Sequence, residues 1–429
     1  MTSINYKNFF ENQYLPLQEL EQRSYPENQN DRNRNSYSRD YARLLYSNSF
    51  KRLQGKMQLF SVTPDKFYRN RLTHSMEVAQ ISRSIGQQLN KFLNESILYI
   101  GDDIYVLETG ALAHDIGNPP FGHKGERILN ELLKRDGGFE GNAQGIRIIN
   151  KLEKKFPNIK GLNLTLRTQL SIIKYYRPYI ESLKSKFLYH DDFDILQEQL
   201  KFFDIKPRTL DVQIIDLADE IAYCAHDLED ALSLSLFTIE ELLFEIRLES
   251  TAAYNVFKNW VDSSKEYARH SQNYNSSEEY AFIFRKELTS LIVNKLINDI
   301  DVIKVSKNHI SKTNTAHEYE LGFKEYSVLT SLLKEKTFCC VNRKPEIQLY
   351  EKMGEKIITG LFEALNDPKF NSHSLLLPVE YRALENGKAL ENPDKRFVAD
   401  YISGMMDQYS VNLYKKIYGP NSLDKTIRN

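Results

Sequence analysis

Residues 105–126, YVLETGALAHDIGNPPFGHKGE, decide the fold because they join an apolar helical segment to a polar turn. The apolar side chains before Ala113 recur at helical spacing, and Asp103 precedes them as a candidate N-cap. Glycine and two prolines then end the helix shortly after His114 and Asp115. The segment therefore predicts a buried helix that carries an imidazole and a carboxylate into a turn.

The composition of the whole chain is that of a globular, mostly helical protein. Of its 429 residues, 41% are hydrophobic and 27% are charged, which excludes wholesale disorder. It has 18 glycines and 13 prolines, fewer than the roughly 7% and 5% of average proteins. Scarce turn-forming residues favour long helices over a many-stranded sandwich or barrel. We predict a mostly α fold, with a small β element within residues 317–333, HEYELGFKEYSVLTSLL, in the C-terminal half.

Charge and cysteine usage exclude several classes of protein. The formal net charge is −1, so no global cationic field attracts nucleic acid or a membrane. The three cysteines, Cys224, Cys339 and Cys340, form no CxxC pair and indicate buried thiols in a reducing compartment. The N-terminus lacks a signal-peptide pattern, and no stretch approaches the ~20 apolar residues of a membrane span. We therefore expect a cytoplasmic protein with no membrane partner.

Two stretches of the C-terminal half lead to predictions of local structure. Residues 263–277 are polar and rich in serine and asparagine, which predicts a loop. Residues 394–419, DKRFVADYISGMMDQYSVNLYKKIYG, are amphipathic at helical spacing. We predict that they form a single final helix.

Three segments far apart in sequence carry side chains suited to divalent-metal chemistry. His74 lies near the start of one predicted helix, His114 and Asp115 end a second, and Asp219 lies on a third. Imidazole nitrogens and carboxylate oxygens suit a cation such as Mn, Fe, Zn, Mg or Ni. These four ligands leave positions on an octahedral ion for water and a phosphate oxygen. A bare His-Asp pair is a weak signal, so the hypothesis depends on all three segments together.

The third of these helices carries a stripe of polar side chains. Asp219, Tyr223 and Asp227 follow one another at intervals of four residues, which places them on one helix face. Taken alone, the stripe is typical of a solvated acidic edge, since Glu220 and Glu229 lie nearby. Together with the histidine segments, it indicates a site instead.

Six motifs then appear in a fixed order and carry a family resemblance. In that order the chain resembles the HD-domain deoxynucleoside triphosphate triphosphohydrolases, in particular the deoxyguanosinetriphosphate triphosphohydrolase (dGTPase) group. The resemblance covers about residues 39–232 and 396–409. The motifs are RLQGKMQLF (52–60), RLTHS (71–75), AHDIGNPPFGHKGE (113–126), GNAQ (141–144), LADEIAYCAHDLEDAL (217–232) and RFVADYISGMMD (396–407).

The resemblance implies a helical HD-domain core with additional helices. We expect residues 1–38 to form an N-terminal arm and residues 39–235 the HD-domain catalytic core. Residues 236–429 would be a helical region that completes the core and forms an oligomer interface. The chain departs from the family pattern at Glu220, where a second Asp is usual, and its Lys-Tyr-Pro sequence is interrupted after Tyr175.

The resemblance also implies a reaction and its catalytic residues. Water would attack the α-phosphorus of a deoxynucleoside triphosphate, with dGTP preferred, and release the deoxynucleoside and inorganic tripolyphosphate. His123, supported by Glu126, would transfer the proton. One divalent cation per site (Mn, Mg, Fe, Co, Zn or Ni) would bind to four ligands carried over from the family: His74, His114, Asp115 and Asp219.

Substrate contacts follow from the same resemblance. The triphosphate would meet cationic and hydrogen-bonding side chains, and Arg396 would contact either this phosphate chain or an allosteric nucleotide. The deoxyribose would be selected by a second set, which packs where a ribose 2′-hydroxyl would lie and bonds the 3′-hydroxyl. The phosphate set is Arg71, Asn142, Lys174 and Tyr175, and the sugar set is Gln54, Tyr223 and Asp227.

The family also implies partners, and two alternative functions stay open. Family members are oligomers, commonly hexamers, and some respond to a nucleotide effector or to single-stranded DNA. One alternative is another HD-domain phosphohydrolase, acting on a cyclic nucleotide or (p)ppGpp. Only His123 and His190 lie between the His-Asp pair and Asp219, which favours one metal over the two of dinuclear relatives. The other alternative, a non-catalytic nucleotide sensor, typically lacks a ligand that this chain retains.

Overall fold

The computed structural model describes most of the chain, and the described part is predominantly helical. The prediction of a mostly α fold is therefore confirmed. Leu59 and Phe60 of the first motif lie outside the described residues. The described ranges are 5–27, 34–58, 69–93, 98–99, 101–183, 185–270, 276–382, 384–385, 388–389 and 392–423.

Nineteen α-helices are found within these ranges. The first eleven are α1 Tyr6–Tyr14, α2 Ser36–Tyr46, α3 Asn48–Arg52, α4 Arg71–Gln88, α5 Ile104–Ala113, α6 Gly122–Leu132, α7 Gly141–Arg147, α8 Leu166–Leu170, α9 His190–Phe202, α10 Leu210–Ala222 and α11 Leu228–Ser233. The others are α12 Ile239–Glu249, α13 Thr251–Arg269, α14 Ser277–Asp299, α15 Lys307–Thr313, α16 Ser327–Asn342, α17 Pro345–Asn366, α18 Lys395–Ser403 and α19 Asp407–Tyr418.

A short antiparallel ribbon supplies the predicted β element. β1 (Ile300–Lys304) pairs with β2 (Tyr319–Phe323), and α15 connects the two strands. A second, two-residue pair that the sequence did not predict joins β3 (Leu384–Glu385) to β4 (Lys388–Ala389). The first ribbon matters for function because it carries α15 at its end.

The larger core is built around α4, α5 and α10, which pack against one another. Val78 and Ile85 of α4 meet Leu107 and Ala111 of α5, and all four are buried. α4 and α5 approach closely at Gly86, where an added Cβ would lie 2.7 Å from Leu107 Cδ1. The packing of these three helices brings the ends that carry the predicted ligands together.

A second core joins the helix after the HD pair to the C-terminal region. Leu129 of α6 packs with Leu361 of α17 and Ile402 of α18. Phe121, just before α6, has a left-handed backbone with φ of 61°. Its ring lies against Gly354, where a Cβ would approach Phe121 Cγ to 2.6 Å. The turn after His114-Asp115 therefore rests on the C-terminal helices.

Three local predictions need correction. The final segment forms two helices, because the chain turns between α18 and α19 at Gly404–Met406. The predicted loop at 263–277 is helical as far as Arg269, since the buried face of α13 continues to Ala268; residues 271–275 lie outside the described residues. Asp103 makes no capping bond and instead pairs with Arg167.

Among the described helices, none combines the length and the apolar character that crossing a membrane requires.

Candidate active site

Most of the predicted site residues line one cavity of about 670 Å³. One side, which we call the histidine wall, consists of His114 and Asp219 with the buried His74 behind them, at the end of α5, on α10 and on α4. Another side, which we call the C-terminal wall, comes from α15 and α16. Its side chains that line the cavity are His309, Lys312, Lys334, Glu335 and Phe338.

His74 is fixed by the start of α4. Asn70 and Thr73 form a reciprocal capping box, so the helix begins at Arg71 and places His74 in its first turn. The imidazole is fully buried, and its Nε2 lies 3.2 Å from Asp219 Oδ1. Packing therefore holds this ring in a single orientation beside the carboxylate.

His114 follows the last residue of α5. Its Nδ1 lies 2.6 Å from the Ala111 carbonyl oxygen, which assigns the Nδ1 proton to that bond and leaves a lone pair on Nε2. Nε2 is buried and has no hydrogen-bond partner among the described residues. Burial alone would lower the pKa of His114, but the Asp115 and Asp219 carboxylates outweigh it and raise the pKa to about 9. The orphaned Nε2 is the atom that a metal would take.

Asp219 closes the histidine wall from α10. His114 Nε2 lies 3.5 Å from Asp219 Oδ1 and Lys174 Nζ lies 3.7 Å from Asp219 Oδ2. Burial would raise the pKa of Asp219, but the neighbouring imidazoles of His114 and His74, with Lys174, hold it well below its usual range. Asp219 is therefore an ionised carboxylate between two imidazoles.

These three side chains form the metal-ligand cluster found among the described residues. Ligand atoms of His74, His114 and Asp219 all lie within 4.8 Å of one another. Two imidazoles and one carboxylate are a donor set typical of Mn, Fe, Zn or Ni, and the orphaned Nε2 of His114 gives it an open valence. The residues present therefore fit a divalent cation.

Asp115, the fourth predicted ligand, lies beside this cluster. Its Oδ1 is 3.7 Å from His114 Nε2 and accepts a hydrogen bond from Asn118, and its Oδ2 is 2.6 Å from Arg71 Nη1. Burial would raise the pKa of Asp115, but Arg71 and the two histidines lower it to about 2. Arg71 is itself buried and does not line the cavity, so it acts on the site through Asp115.

His123 and Glu126 lie on the first turns of α6. The His123 side chain is 59% exposed, and its Nδ1 lies 3.4 Å from Oε2 of the buried Glu126. Glu126 also pairs with Lys186 through Oε1. Burial would raise the pKa of Glu126, but His123 and Lys186 hold it well below its usual range. The pair is an exposed imidazole beside a buried, ionised carboxylate.

Tyr223 and Asp227 lie at the two ends of a π-helical turn that follows α10. Such turns widen a helix by one residue and are frequent at functional sites. The Tyr223 ring centroid lies 5.3 Å from that of His74, and Asp227 is buried with Oδ1 unpartnered among the described residues. Burial and the neighbouring carboxylates raise the pKa of Asp227 well above its ordinary value. The buried positions of Asp219 and Asp227 exclude the solvated-edge alternative.

Lys174, Tyr175 and Asn142 also line the cavity, as the resemblance implied. Lys174 Nζ pairs with Asp216 as well as Asp219, and Asn142 Nδ2 donates to Glu140 Oε1 at 2.8 Å. Lys174 and Asn142 are thus each oriented by an acidic neighbour.

Two predicted residues are not at the cavity. Gln54 is exposed in the turn after α3, whereas Gln58, four residues later, is buried, lines the cavity and has no partner for Oε1 among the described residues. Arg396 donates through Nη2 to the carbonyls of Asp136 and Gly138, at 2.8 and 2.7 Å. The prediction chose Gln54 because the sequence does not show that the backbone turns between the two glutamines and directs Gln58 into the cavity.

Sequence reasoning also missed the C-terminal wall and Lys186. α15 and α16 lie in the stretch where the resemblance is thin. The spacing of their lysines in the sequence is that of an ordinary solvated helix face. Gln58 could have been found, because it is the second glutamine of the same motif as Gln54.

The chain is similar to known protein families and to individual proteins. Residues 71–224 match the family model described as the HD domain, and residues 324–416 match a phosphohydrolase-associated domain. The chain is 46% identical over 396 residues to the deoxyguanosinetriphosphate triphosphohydrolase-like protein 2 of Vibrio cholerae, covering 92% of this chain and 91% of that protein. It is 35% identical over 432 residues to a deoxyguanosinetriphosphate triphosphohydrolase-like protein of Shewanella pealeana, covering 91% and 93%.

Proposed function

Because this chain belongs to the HD-domain phosphohydrolases, in the group of deoxyguanosinetriphosphate triphosphohydrolase-like proteins, we propose that it hydrolyses deoxynucleoside triphosphates. The products are the deoxynucleoside and inorganic tripolyphosphate, and dGTP is the preferred substrate. The observation that carries the proposal is a single cavity that holds the histidine wall and the His123–Glu126 pair together.

One divalent cation would be held by His74, His114 and Asp219, with Asp115 as the fourth ligand. Manganese or magnesium is the proposed ion, and iron, cobalt, zinc and nickel fit the same donors. When bound, the cation supplies Lewis-acid stabilisation for the charge that develops on the α-phosphoryl oxygens. Arg71 keeps Asp115 ionised and oriented through its bond to Oδ2.

His123 transfers the proton of the reaction, with Glu126 orienting it. Water adds to the α-phosphorus, the bond from phosphorus to the 5′ oxygen breaks, and a proton passes from the attacking water to the departing oxygen. The bond from Nδ1 to Glu126 leaves the other imidazole nitrogen free to accept or donate that proton. The exposure of His123 to the cavity supports this role.

The triphosphate binds to the cationic and amide groups near the histidine wall. Lys174, Tyr175 and Asn142 line the cavity, and Lys186 adds a second ammonium beside Glu126. In water-excluded surroundings, charge-assisted hydrogen bonds to phosphate are stronger than those between neutral groups.

Sugar selection belongs to Tyr223, Asp227 and Gln58, with Gln58 taking the role first given to Gln54. Asp227 and Gln58 present unpartnered oxygens in the cavity that can accept a 3′-hydroxyl hydrogen bond. Tyr223 packs against His74 and occupies space that a ribose 2′-hydroxyl would need. The chain therefore prefers deoxyribose.

The base lies against the face of α16. Phe338, 42% exposed, offers a ring for stacking, and Glu335 offers a carboxylate to the N–H groups of guanine. Lys334 covers the Tyr223 ring with its ammonium 4.6 Å from the centroid. This wall supports a preference for guanine.

The C-terminal half completes the site in this proposal. Residues 236–429 supply α15 and α16 to the cavity and α17 and α18 to the second core, and residues 1–38 form the arm. A homo-oligomer, a hexamer in particular, a nucleotide effector and single-stranded DNA as partner remain predictions from the resemblance. A cytoplasmic location remains a prediction from the cysteine usage and the sequence pattern. Arg396, held by a backbone loop, is now a candidate for positioning that loop.

The proposal is tested by incubating the purified protein with each dNTP and with GTP, in the presence of Mn²⁺ or Mg²⁺, and separating the products. We expect deoxyguanosine and tripolyphosphate from dGTP, and slower turnover of GTP. Release of dGMP and pyrophosphate would contradict it. Turnover of a cyclic nucleotide or (p)ppGpp, with dNTPs left intact, would favour the alternative HD-domain hydrolase.

A further inference from the structure

α15 forms an end of the cavity that the proposed reaction has not used. His309, Lys312 and Thr313 of this helix line the cavity. α15 is the connection between β1 and β2, so the ribbon fixes both of its ends.

Three hydrogen bonds, one between backbone groups and two from side chains, fasten α15 and its C-cap to the segment that follows Lys174 and Tyr175. The Tyr176 N–H donates to the Thr313 carbonyl at 3.1 Å, and Asn314 Nδ2 donates to the Tyr176 carbonyl at 2.7 Å. Arg177 Nη2 donates to the Ser311 carbonyl at 2.6 Å. α15 therefore lies beside the lysine and tyrosine proposed to hold phosphate.

A buried chain of ions orients the same end of the cavity. His309 Nε2 lies 2.9 Å from Glu320 Oε2, and Arg208 Nη2 lies 3.0 Å from that oxygen, with side-chain exposures of only 3% for Glu320 and 2% for Arg208. Arg208 also contacts Asp216, which holds Lys174. Burying ions is costly unless their geometry is well satisfied. Here the buried pair directs His309 and Lys174 to one wall.

Lys312 differs from the other ammonium groups of the cavity. Lys174 and Lys186 are paired with carboxylates, and Lys334 covers Tyr223. Lys312 is exposed and has no carboxylate within ion-pair distance among the described residues. An anion that enters the cavity thus finds this charge uncompensated.

We propose that His309 and Lys312 bind the outer phosphates of a linear polyphosphate, which makes α15 the polyphosphate-recognition helix of the site. This inference rests on the proposed function for the nucleotide part of the substrate. Its ligand is the phosphate chain, so inorganic tripolyphosphate is a sufficient probe. The pair selects triphosphates over diphosphates and monophosphates, because a shorter chain has fewer phosphate groups to offer His309 and Lys312 while it also occupies Lys174 and Tyr175.

The test is calorimetric titration of tripolyphosphate, pyrophosphate and orthophosphate into the full-length protein, with Mg²⁺ present. Each lost charge-assisted hydrogen bond should weaken tripolyphosphate binding by about tenfold or more. We expect this for Lys312→Met and for His309→Asn, with orthophosphate binding unchanged. Lys312→Arg should retain binding. Lys307→Met, which removes an exposed lysine of the same helix that does not line the cavity, is the matched control.

Kinetics separate binding from a structural effect. With dGTP, Lys312→Met should raise KM by about tenfold and change kcat by less than about threefold, because the residue contacts the phosphate chain rather than the reacting bond. Thermal unfolding of the Lys312→Met protein should match the wild type, since Lys312 is exposed.

Two results would overturn the inference: wild-type protein that does not bind tripolyphosphate, or Lys312→Met and His309→Asn proteins that bind it as tightly as wild type. If no dNTP is hydrolysed but both variants lose tripolyphosphate binding, the proposed function fails and the polyphosphate site stands.

Discussion

The histidine wall and the C-terminal wall face the same cavity but hold their polar groups in different ways. His74 is fully buried and Asp219 nearly so, and both are fixed by helices that pack in the larger core. Lys312 and Lys334 are exposed, and the Glu335 side chain is 62% exposed. The histidine wall is thus held in place by packing, whereas the long side chains of the C-terminal wall extend into solvent.

This difference matches the demands of hydrolysis. Chemistry on a phosphate needs ligands held within a narrow geometry, which buried side chains provide. Recognition of a base and a flexible phosphate chain tolerates movement, which long exposed side chains allow. Substitutions in the histidine wall should therefore lower kcat, and those in the C-terminal wall should mainly raise KM.

Asp219→Ala should have the largest effect and test the histidine wall directly. Losing this carboxylate removes a ligand and leaves two buried imidazoles without their partner. Lewis-acid stabilisation is worth several kcal/mol, so kcat should fall by at least about a thousandfold. Product release with dGTP and metal content by elemental analysis are the measurements.

Asp194→Ala is the control for this change, because it removes an exposed aspartate of α9 outside the cavity. It should retain activity and metal. Wild-type turnover by the Asp219→Ala protein would remove the basis for the contrast between the walls.

His123→Ala should come next, because it leaves the cation ligands untouched. General acid–base catalysis contributes roughly 10²–10⁴-fold, and we expect kcat to fall about a hundredfold with little change in KM or metal content. Glu126→Gln should give a smaller loss, since the imidazole remains but loses its ionised partner. The result that speaks against this assignment is a raised KM with an unchanged kcat for His123→Ala.

The histidine wall could be predicted from sequence because each of its parts has a local signal. The Asn70–Thr73 capping box starts α4, and the glycine and prolines after His114 end the helix that delivers it. Burial of these helices then forces their polar residues together, as the motifs of the family imply. Asp115 was predicted as a fourth ligand and stays a prediction in that role, and its bonds to Arg71 and Asn118 depend on tertiary contacts that the sequence does not reveal.

The C-terminal wall could not be predicted in this way. Lys312 and Lys334 have the periodicity of a solvated face, and only the fold of the ribbon and α16 turns them towards the cavity. The break at Gly404–Met406 is a related case, because the amphipathic pattern continues through it. There Asp407, the first residue of α19, accepts hydrogen bonds from the backbone N–H groups of Met57 and Phe121 through its side chain.

Asp216 links the two walls, and its titration gives a pH dependence. Burial would raise its pKa, but Lys174 and Arg208 lower it to about 2, against roughly 3.9 in unfolded chains. The folded protein therefore binds this proton more weakly than the unfolded chain does. The resulting stabilisation of about 2 kcal/mol is complete at neutral pH and is lost as the pH falls from about 4 towards 2.

Asp216→Asn should therefore lower the free energy of unfolding at pH 7. The difference in this free energy between wild type and variant should become smaller at lower pH. Urea unfolding at a series of pH values measures it, with Asp194→Asn as the control for removing a carboxylate. A difference between wild type and Asp216→Asn that stays constant from pH 7 to pH 3 would contradict the assigned ion pairs.

The smallest effect distinguishes two glutamines of one motif and tests where the sugar lies between the walls. Gln58→Ala removes a buried amide whose Oε1 faces the cavity, and Gln54→Ala removes an exposed one. One hydrogen bond to the 3′-hydroxyl is worth about 1 kcal/mol, so Gln58→Ala should lower kcat/KM for dGTP by roughly fivefold to tenfold. Gln54→Ala should leave it unchanged. Because 2′,3′-dideoxy-GTP lacks this hydroxyl, wild type and Gln58→Ala should turn it over equally; a loss with Gln54→Ala alone would return the sugar contact to the residue first predicted.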